Sequence, residues 1–110
     1  MDEVVERLLE GPARTARTLF DEHRNDVERV LRKHGVTRLV AFGSRARGEG
    51  RPDSDLDLAG SFARGADLFD LVHLKEELSE VLGVPVDFIS LRAARGRLLD
   101  EVRRGVVLVA

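Results

Sequence analysis

The amino-acid sequence predicts an α/β (α+β) domain in which a small mixed β-sheet of three to four strands is flanked by helices. Three observations predict it. The chain has 110 residues, the length of one ordinary domain. Apolar residues make up 43% and charged residues 35%, as in a globular protein with a solvated surface. Helical and strand-like patterns follow in the order α-β-β-α-β-α, which indicates packed layers rather than a regular β-α-β repeat.

The dipeptide Gly11-Pro12 is the first break in these patterns. It divides the chain into an N-terminal extension, residues 1–12, and one domain, residues 13–110. The extension is expected to be helical because its apolar residues fit a short amphipathic helix; they are Val4, Val5, Leu8 and Leu9. In the domain, helical spacing predicts one helix from about Thr15 to His34, which Gly35 ends. Its apolar positions are Ala16, Phe20, Val27, Val30 and Leu31.

The middle of the chain predicts two strands joined by an irregular segment. Residues 37–42 are a short β-type run that stops at Gly43. Residues 43–53 are rich in Gly, Arg, Ser and Pro, and are expected to form a loop or a broken helix. From Asp55 to about Phe62 apolar and acidic residues alternate, which predicts a second strand with its leucines towards the core.

The C-terminal half predicts a helix, a third strand and a last helix. Asp67 is expected to cap a helix that runs to Leu82 and ends at Gly83. The apolar stripe of this helix is expected to be Leu68, Leu71, Val72, Leu78 and Leu82. Residues 84–89 predict the third strand, residues 92–104 the last helix, and residues 106–109 a final strand or an extended tail.

Composition excludes several classes of protein. The chain has no cysteine, so disulfides, thiolate zinc sites and a cysteine nucleophile are excluded, and the three histidines show no metal-ligand spacing. No apolar run is long enough for a membrane helix, and the acidic N-terminus does not resemble a signal peptide, which favours a cytoplasmic location. The net charge of −2 and the low aromatic content of 5% argue against direct binding of nucleic acid.

The most informative stretch is GSRARGEGRPDSDLDL, residues 43–58. It begins where a predicted strand ends in Gly43-Ser44. Glycine allows a ligand to approach the backbone closely, and the following N–H groups and the Ser44 hydroxyl can bind phosphate oxygens. Ten residues separate Ser44 from Asp55. This order of features predicts a phosphate-binding turn next to a pair of carboxylates.

Asp55 and Asp57 are two residues apart on the second predicted strand, which places both carboxylates on one face. Asp87 lies on the third predicted strand and joins them if the two strands are neighbours. Like charges this close repel each other unless a cation lies between them. Oxygen ligands favour Mg²⁺ or Mn²⁺ over zinc. We therefore expect two Mg²⁺ ions, the arrangement used in two-metal phosphoryl transfer with ions about 3.5 to 4 Å apart.

These residues resemble the signature of the DNA polymerase beta-like nucleotidyltransferase superfamily, and in particular its small MNT (minimal nucleotidyltransferase) proteins. The resemblance covers about residues 19–109. It implies the nucleotidyltransferase fold, Gly43 and Ser44 as the phosphate-binding pair, and Asp55, Asp57 and Asp87 as catalytic, metal-binding carboxylates. It also implies ATP as the substrate, with Asp87 helping to take the proton from the attacking hydroxyl.

The resemblance further implies a partner, a helical HEPN-type toxin encoded nearby. MNT proteins of this kind act as antitoxins by transferring AMP to a tyrosine of the toxin. This chain contains no tyrosine, so a tyrosine acceptor must belong to another protein. A homo-oligomer is left open.

The arginines of this stretch carry weaker expectations. Arg47 is the best candidate for a phosphate contact, with a salt bridge within the loop as an equal alternative. Arg45 and Arg51 are expected to be solvated. The arginine-rich segment 92–104 is expected to be a solvated helix face over Ala94, Leu98 and Val102, with contact to a nucleotide or a partner as the alternative.

The sequence is also compatible with two other hypotheses about the function of the protein. In one, the chain is a non-catalytic antitoxin that neutralises its partner by forming a complex. In the other, it is a nucleotide-sensing regulatory subunit that binds ATP without turnover.

Overall fold

The computed structural model describes residues 13–110, so the helix expected in residues 1–12 lies outside the described residues. The described chain forms five helices, a single 3₁₀ turn and four strands. In chain order they are α1 (Ala16–Glu22), α2 (Arg24–Lys33), β1 (Val36–Phe42), α3 (Gly43–Ala46), β2 (Leu56–Phe62), α4 (Leu68–Leu82), β3 (Val86–Ser90), the 3₁₀ turn Leu91–Ala93, α5 (Gly96–Arg103) and β4 (Val106–Val109). None of these helices combines the length and the apolar character needed to cross a membrane.

The strands form one mixed sheet in the order β3-β2-β1-β4. β1 pairs antiparallel with both β2 and β4, whereas β2 and β3 are parallel and connected by the crossover helix α4. The predicted fold class is confirmed, and the sheet has four strands, the larger of the two predicted numbers. Residues 106–109 are a strand, so the extended-tail alternative is wrong.

Two groups of buried side chains hold the layers together. The larger group combines the apolar faces of α1, α2 and α4 with one face of the sheet; Ala16, Leu31, Leu58, Leu74 and Phe88 belong to it. The smaller group lies around the α5 residue Val102 and consists of Val40, Phe42, Ala59 and Val102. The sheet therefore has buried side chains on both of its faces.

The predicted helix from Thr15 to His34 is two helices, because His23 leaves helical geometry at φ −119° and ψ 23°. Both helices bury the expected apolar residues. Apolar spacing did not indicate the break, since a change of direction at one residue leaves the buried positions at nearly helical intervals.

The last predicted helix is also shorter than expected. Residues 91–93 form a 3₁₀ turn, Ala94 is extended and buried, and α5 begins only at Gly96. Gly96 has φ +56°, a left-handed conformation that interrupts a right-handed helix. Leu98 is 37% exposed, so of the three expected core positions in this segment only Ala94 and Val102 are buried.

Helix α4 begins and ends as predicted. The Asp67 carboxylate accepts from the backbone N–H of Asp70, the Asp70 carboxylate accepts from that of Asp67, and Gly83 ends the helix at φ +70°.

The predicted apolar stripe of α4 is partly wrong. Leu78 and Leu82 are buried and Leu71 is partly buried, but the third buried leucine is Leu74. Leu68 and Val72 are exposed, as is Phe69. At about 100° per residue, Val72 lies nearly opposite Leu74 on the helix, so both cannot face the core.

Candidate active site

The candidate site lies at one edge of the sheet, where β1 ends and where β2 and β3 begin. Phe42, the last residue of β1, pairs with Asp57 of β2. Asp57 in turn is the register partner of Asp87 on β3. Because β2 and β3 are parallel, these two carboxylates extend from neighbouring positions at the same edge of the sheet. The structure thus meets the condition under which Asp87 was expected to join Asp57, since the strands that carry them are neighbours.

Asp55 lies just before β2 and two residues from Asp57. Asp55 and Asp87 are exposed, whereas Asp57 is half-buried. The prediction placed Asp55 on the strand itself, and the structure places it at the entrance of the strand.

The turn Gly43-Ser44 follows β1 directly and opens the short helix α3. Gly43 has φ +76°, which favours glycine. A Cβ atom at Gly43 would clash with Asp57 Oδ2 and lie 3.1 Å from Asp57 Cγ. Glycine is therefore required twice here, by the backbone conformation and by the approach of Asp57. The predicted turn is thus in direct contact with Asp57, one of the three predicted carboxylates.

The electrostatic surroundings of Asp57 disfavour its charged form. Burial raises the pKa of Asp57 above its ordinary value of 3.8. The neighbouring negative charges of Asp87 and Asp55 raise this pKa further, in that order, and Glu101 of α5 adds to the effect. The positive charge of Arg47 acts in the opposite direction and lowers it. A cation placed among these carboxylates would relieve the repulsion that raises the pKa.

The carboxylates fit a divalent cation in their chemistry, since all three offer oxygen and their mutual repulsion calls for positive charge. In this structure, however, their side chains are not arranged as a complete set of metal ligands. Among residues 13–110, no three His, Asp or Glu side chains are close enough together to hold a metal ion. Binding an ion would therefore require side-chain rotation, which occurs readily at the exposed Asp55 and Asp87.

Arg47 makes the salt bridge that was the alternative to a phosphate contact. Its Nε lies 3.0 Å from Glu49 Oε2, and both side chains are more than half exposed. An exposed pair of this kind contributes only about 0 to 1 kcal/mol, so the guanidinium can exchange Glu49 for another anion.

Two residues near the site were not identified from the sequence as site residues. Glu101 lies on α5 and Arg104 directly follows this helix, and both line a cleft of about 360 Å³ together with Gly43, Ala46 and Arg47. They reach this edge because β4 pairs with β1 and returns the chain to it. The arginine content of segment 92–104 raises nucleotide contact as an alternative for Arg104, but no local signal could have indicated Glu101, whose position depends on that pairing.

Arg45 is buried, contrary to the prediction from the sequence. It was expected to be solvated, but it is only 2% exposed. Its guanidinium donates hydrogen bonds to three backbone carbonyls, those of Ser54, Arg14 and Pro52, each at 2.8 Å. Arg51 is exposed, as expected.

Comparison with known proteins places these features in a family. The sequence profile described as Polymerase beta, Nucleotidyltransferase matches residues 25–110. A protein of Methanocaldococcus jannaschii, provisionally named a protein adenylyltransferase, is 43% identical over 82 residues, which are 71% of this chain and 88% of the relative. The protein adenylyltransferase MntA of Thermococcus cleftensis is 32% identical over 92 residues, 76% of this chain and 93% of the relative.

Solved structures agree with this assignment. A protein provisionally described as a minimal nucleotidyltransferase has a TM-score of 0.68 and 41% identity, over 84% of this chain and 93% of its own. A chain of a toxin–antitoxin crystal structure with AMP-PNP has a TM-score of 0.67 and 29% identity, over 76% of this chain and 70% of its own. A chain of a complex between a tri-AMPylated HEPN toxin and an MNT antitoxin of Shewanella oneidensis has a TM-score of 0.62 and 25% identity, over 80% of this chain and 70% of its own. With its sheet, its Gly43-Ser44 turn and its carboxylate edge, the chain belongs to the polymerase beta nucleotidyltransferase family.

Proposed function

We propose that this protein is a Mg²⁺-dependent protein adenylyltransferase that acts as an antitoxin. It transfers AMP from ATP to a hydroxyl group, expected to be that of a tyrosine, on a helical HEPN-type toxin. The observation that carries the proposal is the contact between the Gly43-Ser44 turn and Asp57, which itself is in register with Asp87. A phosphate-binding turn and a carboxylate edge in contact are what phosphoryl transfer requires.

In this proposal each group has a defined role. The backbone at Gly43 and Ser44 and the Ser44 hydroxyl bind phosphate oxygens of ATP. Asp55, Asp57 and Asp87 would hold two Mg²⁺ ions, which would supply positive charge against the phosphates and the departing pyrophosphate. The acceptor oxygen forms a bond to the α-phosphorus as the bond from the α-phosphorus to the bridging oxygen breaks. The acceptor proton passes to a carboxylate, for which Asp87 is the candidate, and pyrophosphate leaves.

The partner and the nucleotide are supported by the relatives. One similar chain is part of a toxin–antitoxin structure that contains AMP-PNP, and another is part of a complex with a tri-AMPylated HEPN toxin. The chain itself has no tyrosine, so a tyrosine acceptor must be supplied by another protein. Because the reaction consumes ATP, a cytoplasmic location is part of the proposal.

The experiment is intact-mass spectrometry after incubation of the protein with Mg²⁺, ATP and the protein encoded beside it. We expect the neighbour to gain one or more AMP units with the parent chain and none with Asp55→Asn. Asp53→Asn is the matched control, because Asp53 is also exposed and lies two residues earlier in the same loop. Unchanged transfer by Asp55→Asn would reject the carboxylate mechanism.

A second candidate is a non-catalytic antitoxin that neutralises its partner by forming a complex. The observation that favours it is that similar chains are found in toxin–antitoxin complexes, in which an MNT antitoxin is bound to its toxin. In the same experiment this candidate predicts a stable complex with no change in mass, and neutralisation that Asp55→Asn leaves intact.

A further inference from the structure

Arg45 is the one buried charged side chain among residues 13–110, at 2% exposure. A charge removed from water is tolerated only where hydrogen bonds replace its hydration. Here three guanidinium nitrogens each donate to a backbone carbonyl at 2.8 Å. The guanidinium has no role in the proposed reaction. Because it is buried, it is not available to contact a nucleotide in the cleft lined by Gly43, Ala46 and Arg47. Its place in the fold therefore needs another explanation.

Two of the three acceptors lie in the loop that leads into Asp55. They are the carbonyls of Pro52 and Ser54. Because a peptide unit is planar, holding the Ser54 carbonyl also orients the peptide nitrogen of Asp55. The loop between α3 and β2 has no strand partner, so bonds of this kind are what fix it.

The same loop is folded to present these carbonyls. The Ser54 hydroxyl oxygen accepts from the backbone N–H of Arg51 at 2.7 Å, and the backbone N–H of Ser54 donates to the carbonyl of Arg51 at 2.9 Å. Gly50 covers the stem of Arg45, because a Cβ atom there would lie 2.9 Å from Arg45 Cγ. The loop thus closes around the arginine on two sides.

Arg45 also follows Ser44 directly in helix α3, next to the phosphate-binding turn. Its third acceptor is the carbonyl of Arg14, just before α1. One side chain therefore joins the turn, the approach to Asp55 and the chain segment before α1.

We propose that Arg45 is a positioning residue, which sets Asp55 relative to the Gly43-Ser44 turn through the carbonyls of Ser54 and Pro52. This inference rests on the proposed function, which assigns metal binding to Asp55 and phosphate binding to the turn. Its measurable consequence is the affinity of the carboxylate edge for a divalent cation, which can be determined without any acceptor protein.

Two variants disturb Arg45 in different ways. Arg45→Lys keeps the positive charge. It loses the planar guanidinium that reaches three carbonyls at once, because the lysine ammonium is one compact group. Gly50→Ala keeps Arg45 and forces its stem to move. Gly65→Ala is the matched control for the second variant, since a Cβ atom at Gly65 meets nothing within 4 Å and its backbone is not left-handed. Arg51→Lys is the control for the first.

The measurements are Mn²⁺ affinity and hydrogen–deuterium exchange over residues 51–58. We expect Arg45→Lys to weaken Mn²⁺ binding roughly 10- to 100-fold, the usual effect of losing a group that orients metal ligands. Gly50→Ala should weaken it in the same direction. Both should accelerate exchange at residues 51–58, whereas the two controls should match the parent in both measurements.

Two results would overturn the proposal. In one, residues 51–58 exchange faster while Mn²⁺ affinity stays at the parent value. In the other, a core variant remote from the site, Val30→Ala on α2, weakens Mn²⁺ binding as much as Arg45→Lys does at a temperature where both variants are folded. A parent that binds Mn²⁺ but transfers no AMP rejects the proposed function alone, and a parent that binds no Mn²⁺ rejects both.

Discussion

The α-carbon of Gly43 packs against the carboxylate of Asp57, leaving no space for a Cβ atom between the end of β1 and the start of β2. Gly48 offers a natural comparison. It has nearly the same left-handed backbone, φ +74° against +76°, but a Cβ atom at Gly48 would meet nothing within 4 Å. Substitutions at the two glycines can therefore distinguish the cost of backbone strain, which both share, from the cost of a clash with the Asp57 carboxylate, which only Gly43 has.

From this pair we predict the effects of two alanine variants. Gly48→Ala should destabilise the protein only through backbone strain, by about 1 to 3 kcal/mol. Gly43→Ala should lose more stability and also displace Asp57, so that Mn²⁺ affinity and AMP transfer fall. Urea unfolding and Mn²⁺ titration measure the two effects. Equal unfolding free energies and equal Mn²⁺ affinities for the two variants would contradict the importance of the Gly43–Asp57 contact.

Asp57 should make the metal-free protein less stable at neutral pH than in acid. A carboxyl whose pKa is raised on folding contributes stability that is fully present below its unfolded pKa, near 3.8, and is lost as the pH rises through the folded pKa. Asp57→Asn should therefore melt higher than the parent near neutral pH, with the difference shrinking towards pH of about 4. Thermal melts across this range check it, with the exposed Asp100→Asn as control.

Addition of Mg²⁺ should reverse that order. The parent should gain thermal stability because a bound cation removes the repulsion among its carboxylates, whereas Asp57→Asn should gain little. A variant stabilised by Mg²⁺ as strongly as the parent would show that the ion binds elsewhere.

Arg47 should affect nucleotide binding rather than stability. Its ion pair with Glu49 is exposed on both sides, so breaking it should change the unfolding free energy by no more than about 1 kcal/mol. Arg47→Met should weaken binding of AMP-PNP severalfold, because it removes a cation beside the Gly43 cleft. Glu49→Gln breaks the same pair but keeps the guanidinium, so it should bind AMP-PNP at least as well as the parent. Equal losses in both variants would assign the effect to the ion pair.

The N-terminal cap of α4 should matter for stability and not for chemistry. Asp67→Ala removes the carboxylate that accepts from the Asp70 N–H, at an expected loss of about 0.5 to 2 kcal/mol. Transfer should be unaffected at temperatures where the variant is folded, because this cap comes after Phe62, at the far end of β2 and about 17 Å along the strand from Asp57. Chemical unfolding with the exposed Glu80→Ala on the same helix as control tests the prediction.

The parts of the fold that sequence could predict are those with local causes. The start of α4 at Asp67 and its end at Gly83 follow from hydrogen bonding and backbone conformation within a few residues. The first two strands and the Gly43-Ser44 turn between them were likewise visible in the alternation and the glycine.

What the sequence could not show depends on distant parts of the chain. Arg45 looks like any loop arginine, and its burial requires the carbonyl of Arg14, 31 residues earlier. Glu101 approaches Asp57 only because β4 pairs with β1. The faces of α4 were misjudged because several leucines and valines compete for the core, and the position of the sheet decides between them.

The parallel pairing of β2 with β3 also determines when the site can exist during folding. β1 and β2 form an antiparallel pair of short sequence separation, but Asp57 meets Asp87 only after the chain has completed helix α4 and returned to the same edge. Contacts between such distant residues carry a larger loop-closure entropy and form later. The affinity of this edge for a divalent cation should therefore rise only after the β1–β2 pair has formed, when β3 joins β2, and the ion would report the arrival of β3 rather than the first hairpin.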